Sequence, residues 1–228
     1  PVERMSSRPN LLVPVYALTN GHKRGKKADE YTPTDESVNS STPPTFLVHT
    51  HEDSIVPASQ SSLFYEALLR HGVPAELHIF NDGEHGLGLM TGDPDVAQWT
   101  DLFYRWLRRR NFLSGEARVG LSGRVSLNGR AMGMVWITVI PENERHPIAR
   151  VRIQADSDGN FLIKKSNGPV PGRHEVRIYH VSESRAHVST GIYTMEDARV
   201  HSEFREIREG DELVLNLGDG DFRFVSEN

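Results

Sequence analysis

Apolar residues follow two different rhythms along this chain. As far as about residue 110 they come in short consecutive runs: Leu11-Leu12-Val13 with Val15-Tyr16, then Phe46-Leu47-Val48, then Leu77-His78-Ile79-Phe80. Such runs predict strands covered on both faces, as in a parallel sheet. Pro14 interrupts the first run and puts that strand beside a bulge or at an edge. Between the strands the spacing is helical. Leu63, Phe64, Ala67 and Leu68 predict a helix over 58–71, stopped by Gly72 with Pro74 just beyond. A second helix is predicted to open at Asp93-Pro94, an N-cap followed by proline at the first helical position. Its apolar stripe is Val96, Trp99, Leu102, Phe103, Trp106 and Leu107, and its end carries Arg108, Arg109 and Arg110, where cations favour the helix dipole.

After Ser114-Gly115 the rhythm becomes an alternation. Val119 to Leu127 alternates up to the Asn128-Gly129 turn signal, and Val135 to Ile140 stops at Pro141. Val151 to Ile153 leads to an Asp156-Ser157-Asp158-Gly159 turn. Further strands are read at Phe161 to Ile163, Glu175 to Tyr179, Phe204 to Ile207, Glu212 to Leu217 and Phe222 to Val225. With hardly a helix signal among them, these predict an all-β sandwich of about seven strands. The expected fold is therefore α/β over 1–114, with about three parallel strands and flanking helices, followed by the sandwich over 117–228. Thr19 to Pro44 is polar and aperiodic, at about 25 residues long for a connection inside a domain, and reads as a mobile loop. The basic run from Lys23 to Lys27 inside it reads as a solvated face.

Composition narrows the chemistry. The 228 residues are 37% hydrophobic, enough for one large domain or two ordinary ones, and their composition is far from that of a disordered chain. No window reaches the roughly 18 uninterrupted apolar residues of a helical membrane span. There is no cysteine, which excludes a disulfide scaffold, a thiolate nucleophile and any thiolate-ligated zinc. A net charge of −5, with neither half basic, argues against a nucleic-acid partner. The start, Pro1-Val2-Glu3-Arg4-Met5, has no basic stretch followed by an apolar one, so no signal peptide is read there. It has no initiator Met, so the start of the gene product is expected upstream.

Candidate chemistry gathers in two motifs. Phe46-Leu47-Val48 ends in an acidic loop, and Asp53-Ser54-Ile55-Val56-Pro57 opens the next helix. The third strand ends in a glycine-flanked histidine, Gly83-Glu84-His85-Gly86. Asp53 and His85 thus fall at the tips of adjacent strands, on the edge of a parallel sheet where ligand and catalytic sites gather. Each alone has a plainer reading: Asp53 as the cap of the 58–71 helix, His85 as a satisfied loop histidine.

Together the motifs resemble the C-terminal part of an α/β-hydrolase, in the esterase, acetylxylan-esterase and prolyl-oligopeptidase-like branch. The resemblance covers roughly residues 1–112. Pro43-Pro44-Thr45-Phe46-Leu47-Val48-His49 is similar to the family's strand before the triad acid, and Ser7-Arg8-Pro9-Asn10 with the following strand is similar to the segment one strand earlier. It implies that Asp53 is the acid that orients the imidazole and His85 the base that takes a proton from a serine. It also implies a small-molecule or carbohydrate ester as substrate, no cofactor, and a periplasmic or secreted location. The family's chain order is serine, acid, histidine.

The serine is the departure. No Gly-x-Ser-x-Gly occurs in the sequence; Gly120-Leu121-Ser122-Gly123-Arg124 fails at its last position and lies in the sandwich half. Ser6 and Ser7 precede a strand in the wrong register. The chain resembles strands six, seven and eight of a sheet of about eight, with the nucleophile expected after the fifth. An apolar edge near Leu11 to Tyr16 is therefore expected to lack a neighbour and to recruit a complementing polypeptide or a second copy. On this reading the chain is a member or fragment of a serine ester hydrolase, inactive alone. The competing reading is a non-catalytic binding or assembly protein on a degenerate hydrolase scaffold.

Other motifs carry less. His49 and His51 alternate along a strand, but no third ligand stands at a diagnostic spacing, so no metal is expected. The Asp156 turn would put Gln154 and Lys165 at the ends of a calcium loop, where acidic ligands are needed, so it reads as a hairpin turn. Trp136, Trp99 and Trp106 read as core. The second half resembles carboxypeptidase-regulatory-like or transthyretin-like modules through Ser122 to Gly129, Asp156 to Phe161 and Pro171 to Ile178. That resemblance implies an accessory role with no active residues.

Overall fold

The computed structural model describes residues 7–19, 33–154, 158–180 and 198–225. The Lys23 to Lys27 run, Ser6 and the first half of the Asp156 turn, Asp156 and Ser157, lie outside the described residues. The chain forms two compact units, Pro1–Trp106 and Leu107–Asn228.

In the first unit, β1 (Thr45–Thr50) and β2 (Ala75–Phe80) pair in parallel, from Thr45 opposite Ala75 to Thr50 opposite Phe80. Every residue of β1 is buried. Its two faces explain why. Leu47 packs with Phe64, Ala67 and Leu68 of α1 (Ser59–Arg70), while Phe46 on the other face stacks against Phe103 and Trp106 of α2 (Gln98–Arg109), with ring centroids 5.2 and 5.7 Å away. β2 departs from the expectation of a strand covered on both faces. It is only half-buried and Ile79 is exposed, because β2 has a strand on just one side among the described residues.

The segment from Leu11 to Tyr16 runs parallel to β1 on its other side, as two isolated bridges, Leu12 with Thr45 and Val15 with Val48. Pro14 accounts for the gap. Leu12 N donates to Pro44 O, Phe46 N donates to Leu12 O, and Val48 N donates to Pro14 O. The missing rung is the one that would need an N–H on Pro14 directed at Phe46 O. The register holds across the gap, and the sequence-derived strand becomes an interrupted one.

α1 ends as expected. Gly72 has φ +65°, its N–H donates to Leu69 O, and Val73 N–H donates to Leu68 O, the paired bonds of a left-handed C-terminal stop. α2 begins later than expected. Asp93 Oδ1 accepts from Asp95 N (2.9 Å) and Val96 N (2.7 Å), which caps a separate turn. Trp99 and Thr100 N–H then reach back only three residues, to Val96 O and Ala97 O. The regular helix therefore starts at Gln98 rather than at Asp93-Pro94.

Among the described residues the second unit holds nine strands in two sheets. One contains β3 (Leu121–Leu127), β4 (Arg130–Ala131), β7 (Asn160–Ile163) and β10 (Glu212–Leu217). The other contains β5 (Val135–Pro141), β6 (Ala149–Ile153), β8 (Gly172–His180), β9 (Arg199–Ile207) and β11 (Arg223–Phe224). One apolar core draws on both, with Val125 and Leu215 from the first sheet and Ile137, Val139 and Ile178 from the second. Asn128 and Gly129 both have positive φ, the turn that joins β3 to β4. Trp136 differs from its sequence reading: it is half-buried and lies between the core residues Val135 and Ile137, on the opposite face of β5. Ser122 sits within the β3 ladder, paired to Leu162 and Glu212, and not at a turn between a strand and a helix. Its neighbour Gly123 is packed so closely that an added Cβ would fall 2.2 Å from Leu213 O.

Candidate active site

The parallel register of β1 and β2 ends at Thr50 and Phe80 together, and His51 N donating to Phe80 O (2.7 Å) extends the pairing by one bond. The loops that leave both strands therefore start side by side. Asp53 lies three residues beyond β1 and His85 five beyond β2. Their side chains meet: His85 Nδ1 is 2.7 Å from Asp53 Oδ2. A carboxylate accepts only, so Nδ1 carries the hydrogen and Nε2 is left as the bare lone pair. The imidazole is one-third exposed and Asp53 is buried at 5% relative exposure. A basic nitrogen facing outward with a buried carboxylate behind it can take a proton from a hydroxyl and be stabilised while it holds it.

The acid loop is shaped by its own carboxylate. Asp53 Oδ1 accepts from Ile55 N (2.9 Å) and Val56 N (2.6 Å), a local turn that points Oδ2 the other way. Asp53 does not cap α1, whose N-cap is Ala58 with no side-chain bond. Burial pushes the Asp53 carboxyl up, but the Val56 N–H, the His85 imidazole and the Ile55 N–H outweigh it and hold the acid below its ordinary value. On the base side, Gly83 has φ +129°, and a Cβ there would fall 2.6 Å from Leu87 Cδ1 and 3.0 Å from Thr50 Cγ2. The glycine two residues before His85 is thus demanded by its backbone conformation, and an added Cβ would also have to push the Leu87 side chain aside.

Two neighbours escaped the sequence reading. Tyr16 closes the interrupted strand at φ +52°, rare for a bulky residue, and its ring stands edge-on to His49 (5.9 Å) and His85 (6.4 Å). Burial first, and then the charge of Asp53, push its hydroxyl above the ordinary value. That hydroxyl is buried with no hydrogen-bond partner among the described residues. The signal was a tyrosine at the end of a strand next to the site, which apolar periodicity absorbs as one more core residue. By sequence His49 reads as the end of the strand motif and, with His51, as an insufficient metal pair. The structure separates them: His49 is wholly buried and both ring nitrogens are hydrogen-bonded, while His51 is exposed in the acid loop.

Residues 15–111 match the family model described as the prolyl oligopeptidase family. Among curated proteins, the endo-1,4-beta-xylanase B of Butyrivibrio fibrisolvens is 40% identical over 70 residues, which cover 31% of this chain and 11% of that protein. Among solved structures, the acetyl ester-xyloside bifunctional hydrolase of Caldicellulosiruptor lactoaceticus is 43% identical over 47% of this chain and 44% of its own, with a TM-score of 0.42. A sugar hydrolase of Lactococcus lactis is 30% identical over 46% of this chain and 51% of its own, with a TM-score of 0.41. The chain thus spans about a tenth of the curated relative and about half of these structures. Residues 15–111 match the prolyl oligopeptidase family and carry an α/β-hydrolase-like fold.

Proposed function

We propose that Asp53 and His85 are the acid and base of a serine-type carboxylic-ester hydrolase, and that this chain by itself lacks the serine and is inactive. The observation that carries the reading is the 2.7 Å bond from His85 Nδ1 to the buried Asp53 at the shared tips of parallel strands. In the proposed reaction Nε2 takes the proton of a serine hydroxyl as the oxygen attacks the ester carbonyl. Asp53 stabilises the imidazolium, which then gives the proton to the departing alkoxide. The serine comes from polypeptide outside this sequence. The names of the relatives, a xylanase and an acetyl ester-xyloside hydrolase, favour carbohydrate acyl esters as the substrate class.

The edge from Leu11 to Tyr16, bonded only to β1 among the described residues, is the proposed seat of the complementing strand, from another polypeptide or a second copy. The nine strands of the second unit fit an accessory β-sandwich of the carboxypeptidase-regulatory-like or transthyretin-like kind.

A fluorophosphonate probe tests the central claim. The purified chain is expected to stay unlabelled and to hydrolyse p-nitrophenyl acetate no faster than the same concentration of free imidazole. Covalent labelling mapped to any serine of this sequence would overturn the proposal. The non-catalytic reading gains if a polypeptide that joins this segment to a Gly-x-Ser-x-Gly region also stays unlabelled.

A further inference from the structure

We propose that His49 is a positioning residue for the acid: it holds Asp53 so that Oδ2 faces His85. The proposal rests on reading Asp53 and His85 as acid and base. His49 lies near the end of β1, wholly buried, on the α1 side of the strand with Leu47. Its Nε2 is 2.8 Å from Val56 O and 3.2 Å from Asp53 Oδ2. Val56 O is an acceptor only, so Nε2 carries the hydrogen and donates it there, with Asp53 Oδ2 alongside the same nitrogen. Nδ1, 2.7 Å from Ser61 Oγ, then accepts the hydroxyl hydrogen of Ser61 on α1.

The consequence is a line of contacts from α1 to the imidazole. Ser61 Oγ–H donates to His49 Nδ1, His49 Nε2–H donates to Val56 O, and His85 Nδ1–H donates to Asp53 Oδ2, which lies 3.2 Å from His49 Nε2. Asp53 Oδ1 is held by the N–H groups of Ile55 and Val56. The three hydrogen-bond donors to the carboxylate among the described residues all come from loops, whereas His49 stands on β1. Its N–H grips the Val56 carbonyl at the far end of the acid turn, so His49 ties the turn that carries the carboxylate to β1. A loop carboxylate without that tie would rotate about χ1 and χ2, and the Asp53–His85 bond would open more often. Tyr16, edge-on to both imidazoles, closes the remaining side.

Proton NMR of the intact chain reads this directly, without any need for ester hydrolysis. The His85 Nδ1–H proton is expected as a low-field line, absent in His85→Ala. In His49→Leu its exchange with water should quicken about tenfold, the effect of losing the hydrogen bond that holds the acid turn. His49→Gln keeps an amide N–H near the Nε2 position and should hold the rate within about twofold of the wild type. Ser61→Ala, which frees Nδ1 and relaxes the tautomer, should fall between. Should His49→Leu fail to fold by its amide spectrum, Ser61→Ala decides. Equal exchange rates in the wild type and the folded variants overturn the role of His49. A wild-type chain with no such low-field line would instead overturn the acid–base pairing itself, so the two failures are distinguishable.

Discussion

The two units spend their buried groups differently. In the first, Thr45, His49, Thr50, Asp53, Gln60 and Ser61 are all buried, and they lie on β1, the acid loop and the start of α1. In the second, the buried polar side chains among the described residues are Ser126, Thr138 and His174, scattered over three strands around an apolar core. Burying polar groups is costly unless each finds a partner; here His49 is bonded to Ser61 Oγ and Val56 O, and Asp53 to His85 and the N–H groups of Ile55 and Val56, while Thr50 Oγ1 has no partner among the described residues. The second unit buries mainly apolar side chains among the described residues. The first gathers buried polar groups beside the Asp53–His85 pair, on two paired strands and one interrupted segment among the described residues.

The sharpest way to break this contrast is at His85. In a polypeptide that also supplies the serine, His85→Ala should lower turnover by about 10³–10⁴-fold, with little change in melting temperature because the ring is one-third exposed. Activity that survived the change would remove the base assignment. The counterpart in the second unit is Ile178→Ala. Ile178 is wholly buried between the sheets and touches no chemistry, so the change should cost about 3 kcal/mol in urea unfolding and leave the His85 Nδ1–H signal untouched.

Acid should separate the units in a further way. His174 is wholly buried, its Nδ1 donates to Gly172 O (2.8 Å), and its Nε2 has no hydrogen-bond partner among the described residues. Burial first holds its pKa below the ordinary 6.5. The folded unit therefore binds this proton less readily than the unfolded chain. That stability is full above about pH 6.5 and is lost as pH falls through the window below it. Asp53 is likewise depressed, from an ordinary 3.8, so its contribution persists down to about pH 4 and is lost only below. Thermal melts between pH 7.5 and 4.5 should show the second unit weakening first, and His174→Gln should flatten that slope. An unchanged slope would assign it to other groups.

The smallest effect concerns Pro14. Pro14→Ala supplies the missing N–H toward Phe46 O, while the looser unfolded chain offsets part of the gain. Net stability should move by no more than about 0.5 kcal/mol. Amide exchange at residue 14 should become as slow as at Leu12. Fast exchange there would mean that the interruption has a cause other than the proline.

Much of the first unit was legible because its signals are local. Phe46-Leu47-Val48 reads as a strand from three side chains, and Gly72 stops α1 through its own φ. The acid and histidine motifs could be placed at neighbouring tips because a parallel sheet leaves few other arrangements. What escaped depends on contacts between distant residues. The half-exposure of β2 follows from what pairs beside it, and the outward face of Trp136 from the register of a whole sheet. The late start of α2 follows from Asp93 bonding its own turn in preference to the helix.

Sequence alone determined the two rhythms, the resemblance to a hydrolase, and the proposal of Asp53 and His85 as a pair at adjacent strand tips. It also determined that no Gly-x-Ser-x-Gly stands among these 228 residues. Only the tertiary structure decided which oxygen of Asp53 faces the imidazole, and that His49 and Tyr16 close around the pair. The reason is physical. Periodicity records which side of an element is buried, whereas a hydrogen-bonded site depends on distances of under 3.5 Å between groups on different elements, and those exist only once the strands, loops and helix are packed together.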